Sequence, residues 1–306
     1  METYKSAKND VNNKLIFKLS QFGYALYCDL LFSNRCPDIE QNTDFANHLK
    51  HGDKVFITFI NGEMTVDLEK LLNILRSKQM KVFFYLMYEP VLSNHIVDLL
   101  LNFTLGIFLN NNVYEHHLVH TMPIGIRDCE SVAPMHRGFH HRFLYEEGLK
   151  TVGKEYLCLM CYSYTHGERY RCDNALEGKS YVTNLNANDY ERQPSIHCGK
   201  VPVWINYEYT HKSVYVLSPR GAGEDCHRFY EAIYLDCIPI VKRTNTAFDK
   251  LYTVFPCIIV NDWSDVTENL LINNKETCQQ MMKDFKTKYP NAFTDLDSIH
   301  ELLLLT

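Results

Sequence analysis

Residues 214–241 read VYVLSPRGAGEDCHRFYEAIYLDCIPIV, and this stretch decides the fold. Its first four residues form an apolar run that ends at Ser218 and Pro219, as a strand ends before a turn. Gly221 and Gly223 bracket the turn, and apolar residues then recur at i, i+3, i+4 and i+7, the spacing of one helix face. A second apolar run, 237–241, completes a strand–turn–helix–strand unit.

The same unit favours an anion site. A helix N-terminus presents free backbone N–H groups and a positive dipole end, and Arg220 stands in the turn before it. Arg228 and Glu231, three residues apart, share the helix face opposite to the apolar one. The residues therefore predict a pyrophosphate site. The alternative is an ordinary βαβ crossover whose charges are solvated.

The rest of the chain alternates between two patterns. β-Branched and aromatic runs predict strands at 54–60, 81–87, 105–109, 117–121, 156–161, 181–185 and 257–260. Helical spacing predicts helices at 65–80, 92–101, 169–176, 266–272, 276–288 and 295–304. This alternation is typical of an α/β fold with parallel sheets covered on both faces.

Residues 128–153 interrupt the alternation with clustered His and Arg side chains. We therefore expect two Rossmann-like domains, residues 1–150 and 151–306, that face one another across a cleft. In such folds ligands bind beyond the carboxyl ends of the strands.

Composition narrows the function classes. The 306 residues carry a net charge of −6, which provides no overall basic field for nucleic acid. We expect neither a signal peptide nor a membrane span, because the longest apolar runs are far too short. Eleven cysteines without a framework spacing predict a reducing, cytoplasmic location. Cys158 and Cys161 lie three apart on a predicted strand and so point to opposite faces, which argues against a shared metal or disulfide.

Beyond these patterns, the segment SPRGAGEDCHR (218–228), with Tyr-Glu-Ala at 230–232 and CIPIV at 237–241, resembles the C-terminal signature of the exostosin-like glycosyltransferases. FPCIIVNDW (255–263) and MPIGI (122–126) also resemble that family, so the match covers about residues 123–271. Tyr230 stands where the family usually has Trp. We expect no counterpart of the N-terminal membrane anchor of animal exostosins, and this expectation favours a bacterial- or virus-like form, in the host cytoplasm if viral.

The resemblance implies a GT-B fold with C-terminal helices packing back. It implies a nucleotide-sugar donor in the C-terminal domain and a glycan acceptor, an oligosaccharide or a glycoprotein, in the N-terminal one. It also implies an inverting transfer from a UDP-sugar without an obligatory metal or other cofactor, and the small single-module form favours UDP-xylose. The alternative is a non-catalytic glycan- or nucleotide-binding module of the same fold. A Rossmann dehydrogenase is disfavoured because the Gly221 turn lacks the third glycine.

The candidate donor-binding residues surround the quoted turn. They are Ser218, Arg220, Gly221, Ala222, Gly223 and Arg228, with Arg169 and Arg171 after the first strand of the C-terminal half. Glu231 is the candidate for the ribose hydroxyls, and its alternative is an ion pair with Arg228. Asp225 and His227 match no usual metal spacing.

The catalytic base should follow a strand of the N-terminal domain. The candidates are Glu63, Asp67 and Glu89, with Asp128 near the domain connection. Each of these carboxylates could instead cap a helix or lie on the surface. Histidines are further candidates, because an unperturbed imidazole titrates near neutrality: His116, His117, His140 and His141. The sequence does not choose between them.

Overall fold

The computed structural model describes residues 17, 19, 21–32, 48–60, 63–64, 68–87, 92–127, 139–186, 197–198 and 201–306. The chain divides into two compact units. The first unit comprises Met1–Ile124, Thr246–Leu251 and Phe293–Thr306, and the second comprises Gly125–Asn245 and Tyr252–Ala292. The domain boundary predicted at residue 150 stays a prediction.

The first unit is built on a parallel sheet. Its elements are α1 (Gln21–Tyr27), β1 (Leu30–Phe32), β2 (Lys54–Ile60), β3 (Glu63–Met64), α2 (Leu68–Ser77), β4 (Val82–Met87), α3 (Asn94–Leu101), β5 (Thr104–Leu109) and β6 (Val119–Thr121). The strand order is β1-β2-β4-β5-β6, with β3 paired antiparallel to β2. Register pairs Val55 with Phe84 and Phe84 with Ile107.

Alternation along these strands determines what covers each face of the first sheet. Ile57, Leu86 and Leu109 lie on the same face as Val55 and pack with the leucines of α2 and α3 in one core cluster. Side chains one position along point to the opposite face. There the Tyr85 ring stacks on Phe108 at 4.6 Å. Side chains therefore pack on both faces of the sheet, as its continuous apolar strands predict.

The second unit contains α4 (Phe139–Gly148), β7 (Tyr156–Met160), α5 (Gly167–Leu176), β8 (Val182–Asn184), β9 (His197–Cys198), β10 (Val201–Pro202), α6 (Val203–His211), β11 (Ser213–Leu217), α7 (His227–Tyr234) and β12 (Ile238–Lys242). It continues with β13 (Ile258–Val260), a 3₁₀ turn (Trp263–Asp265) and α9 (Glu268–Lys288). Its parallel sheet has the order β13-β12-β11-β7-β8, and β9 pairs antiparallel with β10. Strand β11, in the middle, is buried along its whole length.

Two further helices complete the described chain. Helix α8 (Asp249–Val254) lies between β12 and β13, and α10 (Leu296–Leu303) belongs to the first unit. In α10, Nδ1 of His300 and the Tyr85 hydroxyl share a hydrogen bond of 2.6 Å. His300 therefore lies on the sheet face opposite to α2 and α3. Within the described ranges, no helix has both the length and the apolarity that crossing a bilayer requires.

The predicted fold class is confirmed: two Rossmann-like parallel sheets followed by C-terminal helices make an α/β, GT-B-like fold. The prediction of separate helices at 266–272 and 276–288 was wrong, because the single helix α9 runs through both ranges. Thr267 caps α9 by accepting from the Leu270 amide at 3.2 Å, and the Asn274 side chain donates to the Leu270 carbonyl at 2.8 Å. The asparagine thus bonds within the helix instead of ending it.

Candidate functional site

A charged pocket of about 170 Å³ lies at the carboxyl edge of the second sheet. Its lining residues follow the ends of β7, β11 and β12, which are neighbours in the sheet, and continue into α8. They are Glu168, Ser218, Arg220, Glu224, Lys242, Arg243, Thr244 and Tyr252. Three cations and two carboxylates thus share the edge where α/β proteins bind their ligands.

Ser218 is a buried polar residue of this pocket. Its amide donates to the Ile240 carbonyl at 2.9 Å, which holds the end of β11 against β12. Ser218 as a whole is only 3% exposed. Its hydroxyl oxygen has no hydrogen-bond partner among the residues that the structure describes. A buried polar group left unbonded costs about 1–3 kcal/mol, so this hydroxyl is suited to a polar ligand atom.

Arg169 is fixed against the glycine turn. Its Nε donates to the Arg220 carbonyl at 3.2 Å, and one terminal nitrogen donates to the Ser163 carbonyl at 2.7 Å. A Cβ on Gly221 would come within 3.0 Å of the other terminal nitrogen, Nη2. Glycine at this position therefore permits the guanidinium to approach the turn closely.

Arg171 and Arg220 have different partners. Arg171, with 73% of its side chain exposed, donates to Glu168 at 3.1 Å and does not line the pocket. Arg220 pairs with Glu224 from the same turn, and both line the pocket. An anionic ligand would thus compete with Glu224 for Arg220. Of the two arginines predicted on α5, Arg169 lies at the turn and Arg171 at Glu168.

Glu168 is a residue that the sequence reasoning missed. Its Oε1 accepts from the buried Trp263 indole at 2.8 Å and lies 3.0 Å from the Lys242 ammonium. Burial acts to raise the pKa of Glu168, but the bonds from Lys242 and Trp263 outweigh it and the pKa is lowered. The motif residue Trp263 was visible in the sequence, but its partner on α5, 95 positions away, was not.

Arg228 and Glu231 are both buried, at 5% and 6% exposure. The interpretation as solvated charges on an exposed helix face was therefore wrong. The reason is α6, which packs against α7 and had not been predicted: its Tyr207 hydroxyl donates to Glu231 at 3.1 Å. Burial raises the pKa of Glu231, and the charges of Arg228 and Arg127 only partly oppose the rise.

The upstream Pro-Ile-Gly element meets the start of α7. Gly125 has φ of +70°, a conformation that favours glycine, and its carbonyl accepts from His227 Nδ1 at 2.7 Å. The positive charge of Arg127, two residues further along, favours the ionised form of Glu231 and so opposes the rise of its pKa. Two segments that share the family resemblance, about 100 positions apart, are thus in contact within the second unit.

The Tyr230 hydroxyl has a partner in the same segment. It donates to Asp225 Oδ2 at 2.6 Å, while the Cys226 amide donates to Oδ1 at 2.7 Å. Asp225 is thereby held at the start of α7, where a negative charge is favourable. Tyr230 therefore stabilises the end of the glycine turn.

The predicted bases remain predictions. Asp67, Glu89 and Asp128 lie outside the described residues, as do the side chains of Glu63, which is in β3, and His140. The described histidines have other surroundings: the rings of His116 and His117 lie 4.4 Å apart in a tilted arrangement, and His141 is buried at 2% exposure. In the described part of the chain, no group of three or more His, Cys, Asp or Glu residues could hold a metal ion.

The fold and the pocket together define a GT-B-like α/β protein with an anion-suited site in its second unit. No protein-family model and no curated protein matches the sequence. Among solved structures, the chain is similar to the crystal structure of a Listeria monocytogenes protein assigned as a UDP-N-acetylglucosamine 2-epimerase. The identity is 12%, the alignment covers 75% of this chain and 68% of that one, and the TM-score is 0.35.

Proposed function

We propose that this protein is an inverting glycosyltransferase that moves a sugar from a UDP-sugar to a glycan hydroxyl. The observation that carries the proposal is the pocket itself: at the carboxyl edge of a Rossmann-like sheet it holds three cations and the Ser218 hydroxyl, which has no hydrogen-bond partner among the described residues. The resemblance of residues 218–241 to the exostosin-like glycosyltransferases supports the same reaction.

The pocket chemistry suits a diphosphate leaving group. In the transfer, the acceptor oxygen bonds to the anomeric carbon, the bond to the diphosphate oxygen breaks, and UDP departs with the electron pair. Fixed positive groups lower the energy of that departing charge without reorganising. Arg220 and Lys242 would contact the phosphates, and Arg169, held by Ser163 and the Arg220 carbonyl, would position the turn. Gly221, Ala222 and Gly223 would contribute backbone N–H groups.

Glu231 is proposed as the acceptor for the ribose hydroxyls. Its carboxylate is buried and receives one neutral hydrogen bond from Tyr207, so it retains acceptor capacity for a diol. It is not among the residues that line the described pocket, so the ribose would have to reach it beside α7. The acceptor proton would pass to Glu63, Asp67 or Glu89 in the first unit, and these roles stay predictions.

Calorimetric titration with UDP tests the proposal. We expect binding to weaken about tenfold or more in both Arg220→Gln and Lys242→Gln, because each removes a charge-assisted bond. Lys275→Gln, an exposed lysine on α9, is the matched control and should bind UDP as the wild type does. Absence of UDP binding at millimolar concentration by folded protein would sink the proposal.

A donor screen separates the enzyme from a binding module of the same fold. UDP-xylose and other UDP-sugars are incubated with the wild type, and released UDP is measured with and without oligosaccharide acceptors. UDP binding without release from any donor would favour the non-catalytic module. Release from UDP-xylose above all other donors would support the proposed sugar.

A further inference from the structure

A second pocket lies at the opposite edge of the same sheet. It is about 450 Å³ in volume, within the roughly 300–1,000 Å³ of small-molecule sites. Lys154 precedes β7, Val214 lies at the start of β11, and Ile238 begins β12. The other lining residues come from the loop after α7 and from α9: Asp236, Gln279, Met282, Lys283, Lys286 and Thr287.

The charges of this pocket do not balance. It is lined by three lysines and one carboxylate, Asp236, which pairs with Lys286 at 2.7 Å. Lys154 donates to the carbonyls of His211 and Leu235, at 2.7 and 3.4 Å, and has no carboxylate within ion-pair distance in the described part of the chain. Neither Lys154 nor Lys283 therefore has an ion-pair partner among the described residues, and the one carboxylate of the lining is paired with Lys286.

Apart from its lysines, the pocket has a largely apolar lining. Val214, Ile238 and Met282 are each buried by more than nine-tenths and form its inner wall. An ammonium group has three donors, and Lys154 uses two on carbonyls at the C-terminal ends of α6 and α7. Burial also lowers the pKa of Lys154, which a nearby anion would reverse.

We propose that this pocket binds an organic anion with an apolar body, of the medium-chain carboxylate class. The carboxylate would pair with Lys154 and Lys283, and the hydrocarbon chain would cover Val214, Ile238 and Met282. A free inorganic anion would leave the apolar wall in contact with water, and a neutral chain would leave the half-buried Lys154 without a counter-charge. The site is separate from the charged pocket at the carboxyl edge of the sheet and does not depend on the proposed transfer reaction.

The first test uses the full chain and three probes. Octanoate carries charge and chain, octanol carries the chain alone, and acetate carries the charge alone. We expect octanoate to bind in calorimetric titration about tenfold or more tightly than either of the others. Equal binding of octanol and octanoate, or no binding of octanoate at millimolar concentration, overturns the proposal.

Variants locate the site. Lys283→Gln removes an exposed charge and should weaken octanoate binding several-fold, and Gln279→Trp should block the pocket from its α9 rim. Lys275→Gln lies on the same helix outside the pocket and should change nothing. Lys154→Met keeps the aliphatic stem but removes the bonds to the ends of α6 and α7, which could prevent folding. In that case the Lys283→Gln variant, whose charge is exposed, decides the test. Equal loss in Lys275→Gln and Lys283→Gln would overturn the proposal.

Discussion

Glu168 and Glu231 are two buried carboxylates of the second unit whose surroundings drive their pKa values apart. Both are less than one-tenth exposed, so burial penalises the charge of each. Glu168 receives direct bonds from a lysine and an indole, and its pKa is lowered. Glu231 receives one bond from a neutral hydroxyl while the arginine charges act from farther away, and its pKa is raised. For Glu168 the direct bonds from charged and polar partners decide the direction, whereas for Glu231 burial decides it.

The difference separates two tasks. A carboxylate that stays ionised can hold Lys242 at the rim of the charged pocket and join α5 to the 3₁₀ turn through Trp263. A carboxyl group whose charge is disfavoured has most to gain from new hydrogen-bond donors. This difference agrees with the role proposed for Glu231, the binding of a ligand diol, and makes Glu168 a fixed part of the pocket wall.

The substitution Glu168→Ala should have the largest effect on the free energy of unfolding. It removes the acceptor of the buried Trp263 N–H and the nearest counter-ion of Lys242, so the free energy of unfolding should fall by about 2–4 kcal/mol at neutral pH. Urea unfolding measures it. Glu276→Ala on the exposed side of α9 is the control and should stay within about 0.5 kcal/mol of the wild type. An equal loss in both would mean that the Glu168 network contributes little.

Trp263→Phe tests the same network from the donor side. It removes one hydrogen bond and some buried volume, so we expect a loss of about 1–3 kcal/mol. The chain has one other tryptophan, Trp204, which is 41% exposed, and Trp204→Phe should be close to neutral. If the exposed position cost as much as the buried one, the bond to Glu168 would not be the cause.

How far the sequence predicts this arrangement depends on how local the signal is. The strand–turn–helix–strand unit around Gly221 is local, so its strands, turn and helix were predicted correctly. Helix α6, of sequence VWINYEYTH, has no single apolar stripe and was missed. When α6 is not predicted, the polar face of α7 is expected to be exposed to solvent. The burial of Arg228 and Glu231 could therefore not be predicted.

The site residues show the same limit. Ser218 and Arg220 lie in the quoted motif and line the pocket, whereas Glu168, Lys242 and Tyr252 join them only because parallel strands end at one edge. The role of Gly221 also depends on a distant residue, the Arg169 guanidinium. Motif spacing fixes neighbours along the chain, but the partners across the sheet come from topology.

Glu168→Gln isolates the charge of the first carboxylate. Because its folded-state pKa lies below the usual 4.5, ionisation stabilises the fold above that pH, and this stability is lost as pH falls through the lowered pKa. The variant should be about 1 kcal/mol less stable than the wild type near neutrality. The gap should close in acid, as urea unfolding at a series of pH values would show. A gap that is constant with pH would contradict the lowered pKa.

Glu231→Gln should give the opposite slope and the smallest effect. Its folded-state pKa lies above 4.5, so the wild type has its full stability in acid and loses part of it as pH rises through the raised pKa. Glutamine keeps an acceptor for Tyr207 but cannot ionise. The stability difference between variant and wild type should therefore shift toward the variant as pH rises, in the same urea series. Parallel pH profiles for the variant and the wild type would show that Glu231 is ionised at no extra cost, and the contrast with Glu168 would then fail.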